Sequence, residues 1–388
     1  MPLAPGQFRM VNPAQRHALL YATQFFAFGV MLPFLPAVLA ARGLDPTEVA
    51  VVLSAGSAVR LLAGPAGGRV ADALAAPRAV LVACAAISAL ACLGFLVGAG
   101  FLAMLAVHAV LSSAMAPVMP LADSMTLAAI REYRFDYGRA RAAGSVTFIL
   151  GSLLAGQAAG WLGTDVVVPL MAAGLLASAG AAALLPKVAA AAAGPRGLAG
   201  FLQPLSIPPL RWLILVSALT QGAHAFYYAF GTLTWQAAGI GAGTIGALWA
   251  VGVIAEIALF MWGRRLVERL GPARLSLIAG LSGVLRWGIT AVTTDPWVLF
   301  PLQVLHAGTF GAQHLATMMV LGRIVPGTQA GTAQALHASL GSGLSMGVLT
   351  LLCGPLFAAY GGGGFWFMAL LCALSVPATL ALGRALRR

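Results

Sequence analysis

Five ionisable side chains stand out inside long apolar stretches of this sequence, where charge is expensive: Arg60, Asp123, Glu256, Arg286 and His306. Arg141 stands at the mouth of another such stretch. Glu256, Arg286 and His306 come from three consecutive stretches. Read as helices crossing a layer, these put Glu256 and His306 roughly 18 and 15 Å below one side and Arg286 roughly 20 Å above the other. The three therefore reach similar depth. Arg286 cannot shed its proton, so it must be paired or hydrated. A carboxyl paired with it in one state and protonated in another makes a proton-coupled switch, with Glu256 as carrier and His306 alongside. A static ion pair that only fixes helix packing is the alternative. Asp123 and Arg141 form a second candidate proton-coupling pair. Arg60 competes as a partner for Asp123, and a structural salt bridge is again the alternative.

Four helical faces combine polar and aromatic groups. The tenth stretch carries Gln303, His306, Phe310, Gln313, His314 and Thr317 within about a third of a turn. The seventh carries His224, Tyr227 and Tyr228, the first Tyr21, Gln24, Phe25 and Phe28, and the fourth His108, Met119 and Asp123. Any one of these polar groups is more simply a packed residue bonded to its neighbour. Four such faces at three-stretch intervals predict four helices around a wet cavity. The expected substrate-binding residues are Tyr21, Gln24, Phe28, His108, Met119, His224, Tyr227, Tyr228, Gln303, Phe310, Gln313 and His314. Such a lining suits a small organic molecule with an apolar or aromatic body and an anionic or hydroxylated end.

The elements that must position these residues are membrane helices, each of about 20 apolar residues. Twelve are predicted: 15–41, 48–67, 77–98, 101–130, 139–163, 166–186, 211–239, 244–263, 273–292, 296–324, 332–360 and 364–384. All but three of the 22 lysines and arginines lie in alternate gaps, from Arg9 and Arg16 to Arg384, Arg387 and Arg388. The other gaps hold Arg42 alone. Cytoplasmic loops keep positive charge, so both termini are expected in the cytoplasm of a multi-pass protein of the bacterial inner membrane. The Ala-, Gly- and Pro-rich segment before residue 211 divides the chain into a six-helix bundle (1–190), a cytoplasmic linker (191–210) and a second bundle (211–388). The halves repeat: Gly68 to Asp72 and Gly263 to Arg269 follow equivalent helices. Gly156 with Gly160, and Gly343 with Gly347, offer small-residue packing faces. Matched halves are the architecture of carriers that rock around a central site. The predicted fold is an all-α membrane protein of twelve helices in two pseudo-symmetric bundles.

Composition agrees. Hydrophobic residues are 60% of 388, charged residues only 8%, and mean hydropathy is +0.93; soluble domains carry roughly 25% charge. Net charge is +12, but it is spread over short loops, which argues against nucleic acid. No cleavable leader is expected, because the first apolar run is too long. Cys84, Cys92, Cys353 and Cys372 read as buried apolar groups. No nucleophile–base set, metal spacing or cofactor motif is found, so no enzyme, no metal and no cofactor are expected. The expected partners are a small-molecule substrate, protons and the lipid bilayer, and the expected state is a monomer.

Two sets of residues carry a family resemblance. Tyr137-Gly138-Arg139-Ala140-Arg141-Ala142-Ala143-Gly144-Ser145 resembles the opening of the fifth helix in lactose-permease-like proton symporters of the major facilitator superfamily. There an acidic residue of helix four pairs with the second arginine and joins in substrate binding, positions matched by Asp123 and Arg141. Gly68 to Asp72 resembles a degenerate loop-two motif of the superfamily. In the second half, Gly252 to Glu256, Val284 to Gly288, Gln303 to Phe310, His314 to Ala316 and Gly364 to Ala369 resemble the 3-phenylpropionate permease branch. The resemblance implies the major facilitator fold and proton-driven uptake of a small, aromatic carboxylic acid by alternating access; a sugar or nucleoside symporter is the alternative. In lactose-permease-like proteins a carboxylate one turn after the helix-ten histidine serves proton release. Thr309 stands near that place here, which leaves Glu256 as the main candidate carrier and His314 as a lesser one. The fifth helix lacks the Gly-Pro signature of efflux antiporters, which ranks efflux below symport.

Overall fold

The computed structural model describes residues 12–186, 201–326 and 329–387, and among them there are helices and no strand. Residues 191–200 of the expected linker lie outside the described residues, as do Arg9, Lys187, Arg196 and Arg388.

Local chemistry sets the helix ends. Helix α1 (Pro13–Ala41) begins at Asn12 and α2 (Pro46–Ala73) at Asp45, each with a reciprocal capping box, to Gln15 and Glu48 respectively, and a proline at the first turn. Then follow α3 (Pro77–Val97), α4 (Gly100–Met115), α5 (Val118–Tyr133), α6 (Tyr137–Leu162) and α7 (Val167–Ala183). Pro117 lacks an amide hydrogen and breaks the fourth pass between α4 and α5. In the second half come α8 (Pro208–Gly222), α9 (Thr232–Ala237), α10 (Ala242–Trp262), α11 (Arg264–Thr290), α12 (Pro296–Gln303), α13 (Gln313–Ile324), α14 (Ala330–His337), α15 (Ser345–Tyr360) and α16 (Phe365–Ala385). Gly271, at φ 70° ahead of Pro272, breaks α11 into a short charged helix and a membrane pass.

Among the described residues, nine helical stretches are long and apolar enough to cross a membrane. One of them, Ala330–Ala385, turns back at Gly361 and passes twice. The α11 pass and the α12–α13 pass fall short by composition or continuity, and they carry Arg286 and His306. Together the described helices are consistent with the twelve expected passes. Leu90, Leu102, Leu176, Leu281 and Leu370 form an exposed apolar skin. Trp161, Trp297 and Trp366 are exposed near one rim, Trp212 and Trp262 near the other, as in interfacial aromatic belts.

Three passes of the second half contain a π-helical segment, each with glycine: Tyr227–Gly231 between α8 and α9, Ala307–Ala312 between α12 and α13, and Ala338–Leu344 between α14 and α15. Such wide turns are rare and concentrate at functional sites. Between the halves, α6 packs on α10 and α2 on α15. At the first seam Gly156 and Gly246 let backbones touch. A Cβ on Gly246 would collide with Ser152 O, while the Ser152 hydroxyl donates to Gly246 O at 3.0 Å. Gly160, expected to share this role, has no neighbour close to its Cα hydrogens: it sits one turn beyond the point where α6 and α10 meet.

Candidate functional site

The buried charges of the second half form one network. Arg286 on α11 is fully buried. It donates to Gln303 Oε1 at 2.7 Å, to Thr309 Oγ1 at 3.1 Å, and to His306 Nδ1 at 3.1 Å. The other ring nitrogen of His306, Nε2, lies 3.5 Å from Glu256 Oε2. Arg286 and Glu256 thus meet through an imidazole, and not directly as the sequence suggested. The wide turn at Ala307–Ala312 sets His306 and Thr309 side by side against Arg286.

The donors fix both tautomers. A guanidinium only donates, so His306 Nδ1 must accept and the His306 proton sits on Nε2, facing Glu256. Thr309 Oγ1 accepts from Arg286 and lies 3.1 Å from His224 Nε2. His224 Nδ1 lies 3.1 and 3.2 Å from the carbonyls of Thr220 and Gln221, so it carries the proton and Nε2 accepts from Thr309. The chain from Arg286 to the carboxylate therefore runs through a neutral His306 that donates to Glu256. Arg286 has no carboxylate partner among the described residues. Its charge is held by these acceptors and by the faces of Tyr227 and Trp287, 4.9 and 4.4 Å from the ring centroids.

Aromatic rings enclose the network. Trp249 stacks on Tyr227 at 4.4 Å, and Trp287 stacks on Phe365 at 5.7 Å. His306, Phe310 and His314 form a near-parallel ladder, with spacings of 5.3 and 6.4 Å. The accessible edge of the cluster is Glu256, Tyr228, Phe310 and His314.

In the first half, Asp123 accepts from Tyr21 Oη at 2.6 Å and from Tyr137 Oη at 3.1 Å. Arg141 does not bridge it. The Arg141 guanidinium lies over Phe25 at 3.9 Å and Tyr21 at 5.4 Å, near enough to act on Glu256 and His314 across the seam. Nor does Arg60 pair with Asp123. Both phenols, held by α1 and α6, bond the same Asp123 oxygen, Oδ1, in place of either cation. Among the described residues, no three His, Cys, Asp or Glu side chains gather as metal ligands.

The MFS_1 like family matches residues 15–369, nearly the whole chain. The protein belongs to this branch of the major facilitator superfamily. It is 33% identical over 369 residues to the "Probable 3-phenylpropionic acid transporter" of Escherichia coli (strain K12), covering 91% of this chain and 93% of that one. It is 26% identical over 366 residues to the "Maltose permease" of Geobacillus stearothermophilus, covering 92% and 91%. The crystal structure of the nucleoside transporter NupG superposes with a TM-score of 0.80 at 17% identity, over 97% of this chain and all of that one, and shares the fold. The protein is thus a multi-pass transporter of the major facilitator superfamily.

The transporter's cavity is drier than the sequence implied. Gln24, His108, His224, Tyr227, Gln303 and Gln313 are buried, whereas Phe28, Met119, Tyr228 and Phe310 are partly accessible and His314 is exposed. Gln24 Oε1 accepts from Ser178, and Gln313 donates to Ser217 Oγ at 3.0 Å, so neighbouring helices hold these amides. Gln313 and His314 were expected on one face. They are consecutive and 100° apart, at opposite edges of that face, and the wide turn before them rotates both, which puts Gln313 into the bundle and leaves His314 exposed. Sequence reasoning missed the enclosing Trp249 and Trp287 and the phenol of Tyr137. Trp249 was detectable, because it precedes Glu256 by two turns on the same helical face.

Proposed function

We propose that the protein is a proton-coupled carrier that takes up a small aromatic carboxylic acid by alternating access. One observation supports this most: the accessible Glu256 carboxylate is joined through the Nε2–H tautomer of His306 to a buried Arg286. In this reading Glu256 carries the proton. Deprotonated, it accepts from His306; protonated, it releases that bond and frees the second half to move. Arg286 holds His306 neutral, so the imidazole relays the state of Glu256 without competing for the proton. Asp123 and Arg141, both half-buried, face the same cavity from the first half, with the buried Tyr21 behind them. Phe25, Phe28, Tyr228 and Phe310 supply apolar surface for an aromatic body. The name of the Escherichia coli relative favours the acid, and that of the maltose permease makes a sugar the second reading.

The same reading places two six-helix bundles, divided near 191–210, on either side of the cavity. It places the protein as a monomer in the bacterial inner membrane with both termini in the cytoplasm, and gives it no catalytic role. Arg42, the lone cation of the gaps on the far side, is paired with Asp165 at 2.8 Å, which leaves that side without free positive charge from the predicted loops. Proteoliposomes with an imposed pH gradient test the function. Labelled 3-phenylpropionate should accumulate, and a protonophore should abolish accumulation. Gradient-driven uptake of maltose without the acid would favour the second reading, and uptake of the acid unaffected by the protonophore would remove proton coupling.

A further inference from the structure

Arg60 has no role in the network described above, yet it occupies a costly position. It lies fourteen residues into α2, roughly 21 Å from the start of that pass. Among the described residues it has no hydrogen bond and no ion pair. Its place on the helix shows where it points. Gly56 and Gly64, one turn to either side, pack against the His108–Ser112 turn of α4 and against Ala116. Ser57 and Leu61 pack against Gly347 and Gly343 of the eleventh pass. Leu62, on the opposite side of α2, belongs to the exposed apolar skin. Arg60 therefore points inward, toward the break in the fourth pass, and away from the exposed apolar skin. Its side chain is open there, facing the space between the helices. Beside it, the buried His108 bonds Ser112 Oγ through Nε2 at 3.3 Å and leaves Nδ1 without a partner.

We infer that Arg60 is the receptor for the carboxylate of the substrate, on the half of the molecule that does not carry the Glu256 relay; this rests on the proposed acidic substrate. A guanidinium in a cavity with no resident carboxylate is one charge short of balance, and a monocarboxylate supplies that charge through a forked pair of bonds. Arg286 is sealed, and Arg141 lies over two rings within reach of the Glu256 charge, which leaves Arg60 as the open cation that faces no carboxylate. Anion recognition and proton carriage then fall on different halves, and a single bound molecule reports on both.

The test is isothermal titration of the purified full chain with 3-phenylpropionate and with the neutral 3-phenylpropanol. Wild type should bind the acid more tightly than the alcohol. Arg60→Gln should weaken the acid by about 10- to 100-fold, the worth of a lost charge-assisted contact, and leave the alcohol unchanged. Arg60→Lys should keep part of the preference. Since Arg60 bonds nothing in the fold, Arg60→Gln should melt with wild type. A large fall in melting temperature would show a structural partner and overturn the inference. So would wild-type preference for the acid in Arg60→Gln, with the function itself left standing. Binding of maltose but of neither phenyl compound by wild type would overturn both.

Discussion

Replacing Arg286 by methionine separates the two tasks assigned to it. The wild-type guanidinium makes three hydrogen bonds, to Gln303, Thr309 and His306. Charge-assisted bonds contribute about 1.5–3 kcal/mol each, so their loss removes about 5–9 kcal/mol. Against this, burying an arginine with no carboxylate partner costs several kcal/mol, which methionine avoids while filling similar space. The near balance predicts a folded protein with a melting temperature within about 4 °C of wild type. The tautomer of His306 has no such compensation. Loss of one charged donor on Nδ1 weakens the Nε2–H preference by about 10- to 150-fold. Imidazole ¹⁵N spectra of the six-histidine chain read this directly, with His306→Gln identifying the resonance. In wild type, His306 should show an unprotonated Nδ1 and a protonated Nε2. In Arg286→Met the two nitrogens should average, and gradient-driven accumulation should fail. A His306 that is Nδ1-protonated or doubly protonated in wild type would refute the reasoning, as would an unchanged tautomer in Arg286→Met.

Further outcomes follow from the same geometry. Glu256→Gln, which copies the protonated carboxyl, should retain substrate counterflow and lose accumulation against a gradient; accumulation at the wild-type level would exclude Glu256 as carrier. Thr309→Val removes the hydroxyl between Arg286 and His224 and leaves two buried groups short of a partner, which should destabilise by about 2–4 kcal/mol in denaturant unfolding. Tyr21→Phe removes a 2.6 Å bond to Asp123 but leaves Tyr137 in place, so it should cost only about 1–2 kcal/mol. In a cysteine-free background, a cysteine at His314 should react quickly with a hydrophilic thiol reagent, whereas cysteines at Gln303 and Gln313 should be slow in the conformation described here.

The passes and their ends were legible because they follow local rules. The passes predicted to begin at 48 and 296 start at Pro46 and Pro296, capped by the side chains of Asp45 and Asp295. Depth arithmetic correctly brought Glu256, Arg286 and His306 into one cluster. It could not order them, because that depends on which way a side chain leaves its helix. The wide turn at Ala307–Ala312 rotates all that follows by an amount that a fixed 100° step does not count, so Gln313 faces inward while His314, one step on, is exposed. Asp123 was assigned a cation, since charge is visible in a sequence, while the phenols that bond it come from α1 and α6 and carry no such signal. The bond to Tyr137 needed the fold, because the break after α5 returns the chain onto it.

The contact of Gly156 with Gly246 gives the molecule a fulcrum. Glu256 stands ten residues along α10 from it, a lever arm of roughly 15 Å. A tilt of one half against the other by about 15°, a size known for rigid-body switching, would carry the carboxylate through roughly 4 Å. The relay lies within one half and moves as a unit, so that travel instead changes the separation of Glu256 from Arg141 across the seam. Bulk added at the fulcrum, with Gly246→Val for example, would therefore change the throw of the lever without altering any residue of the relay.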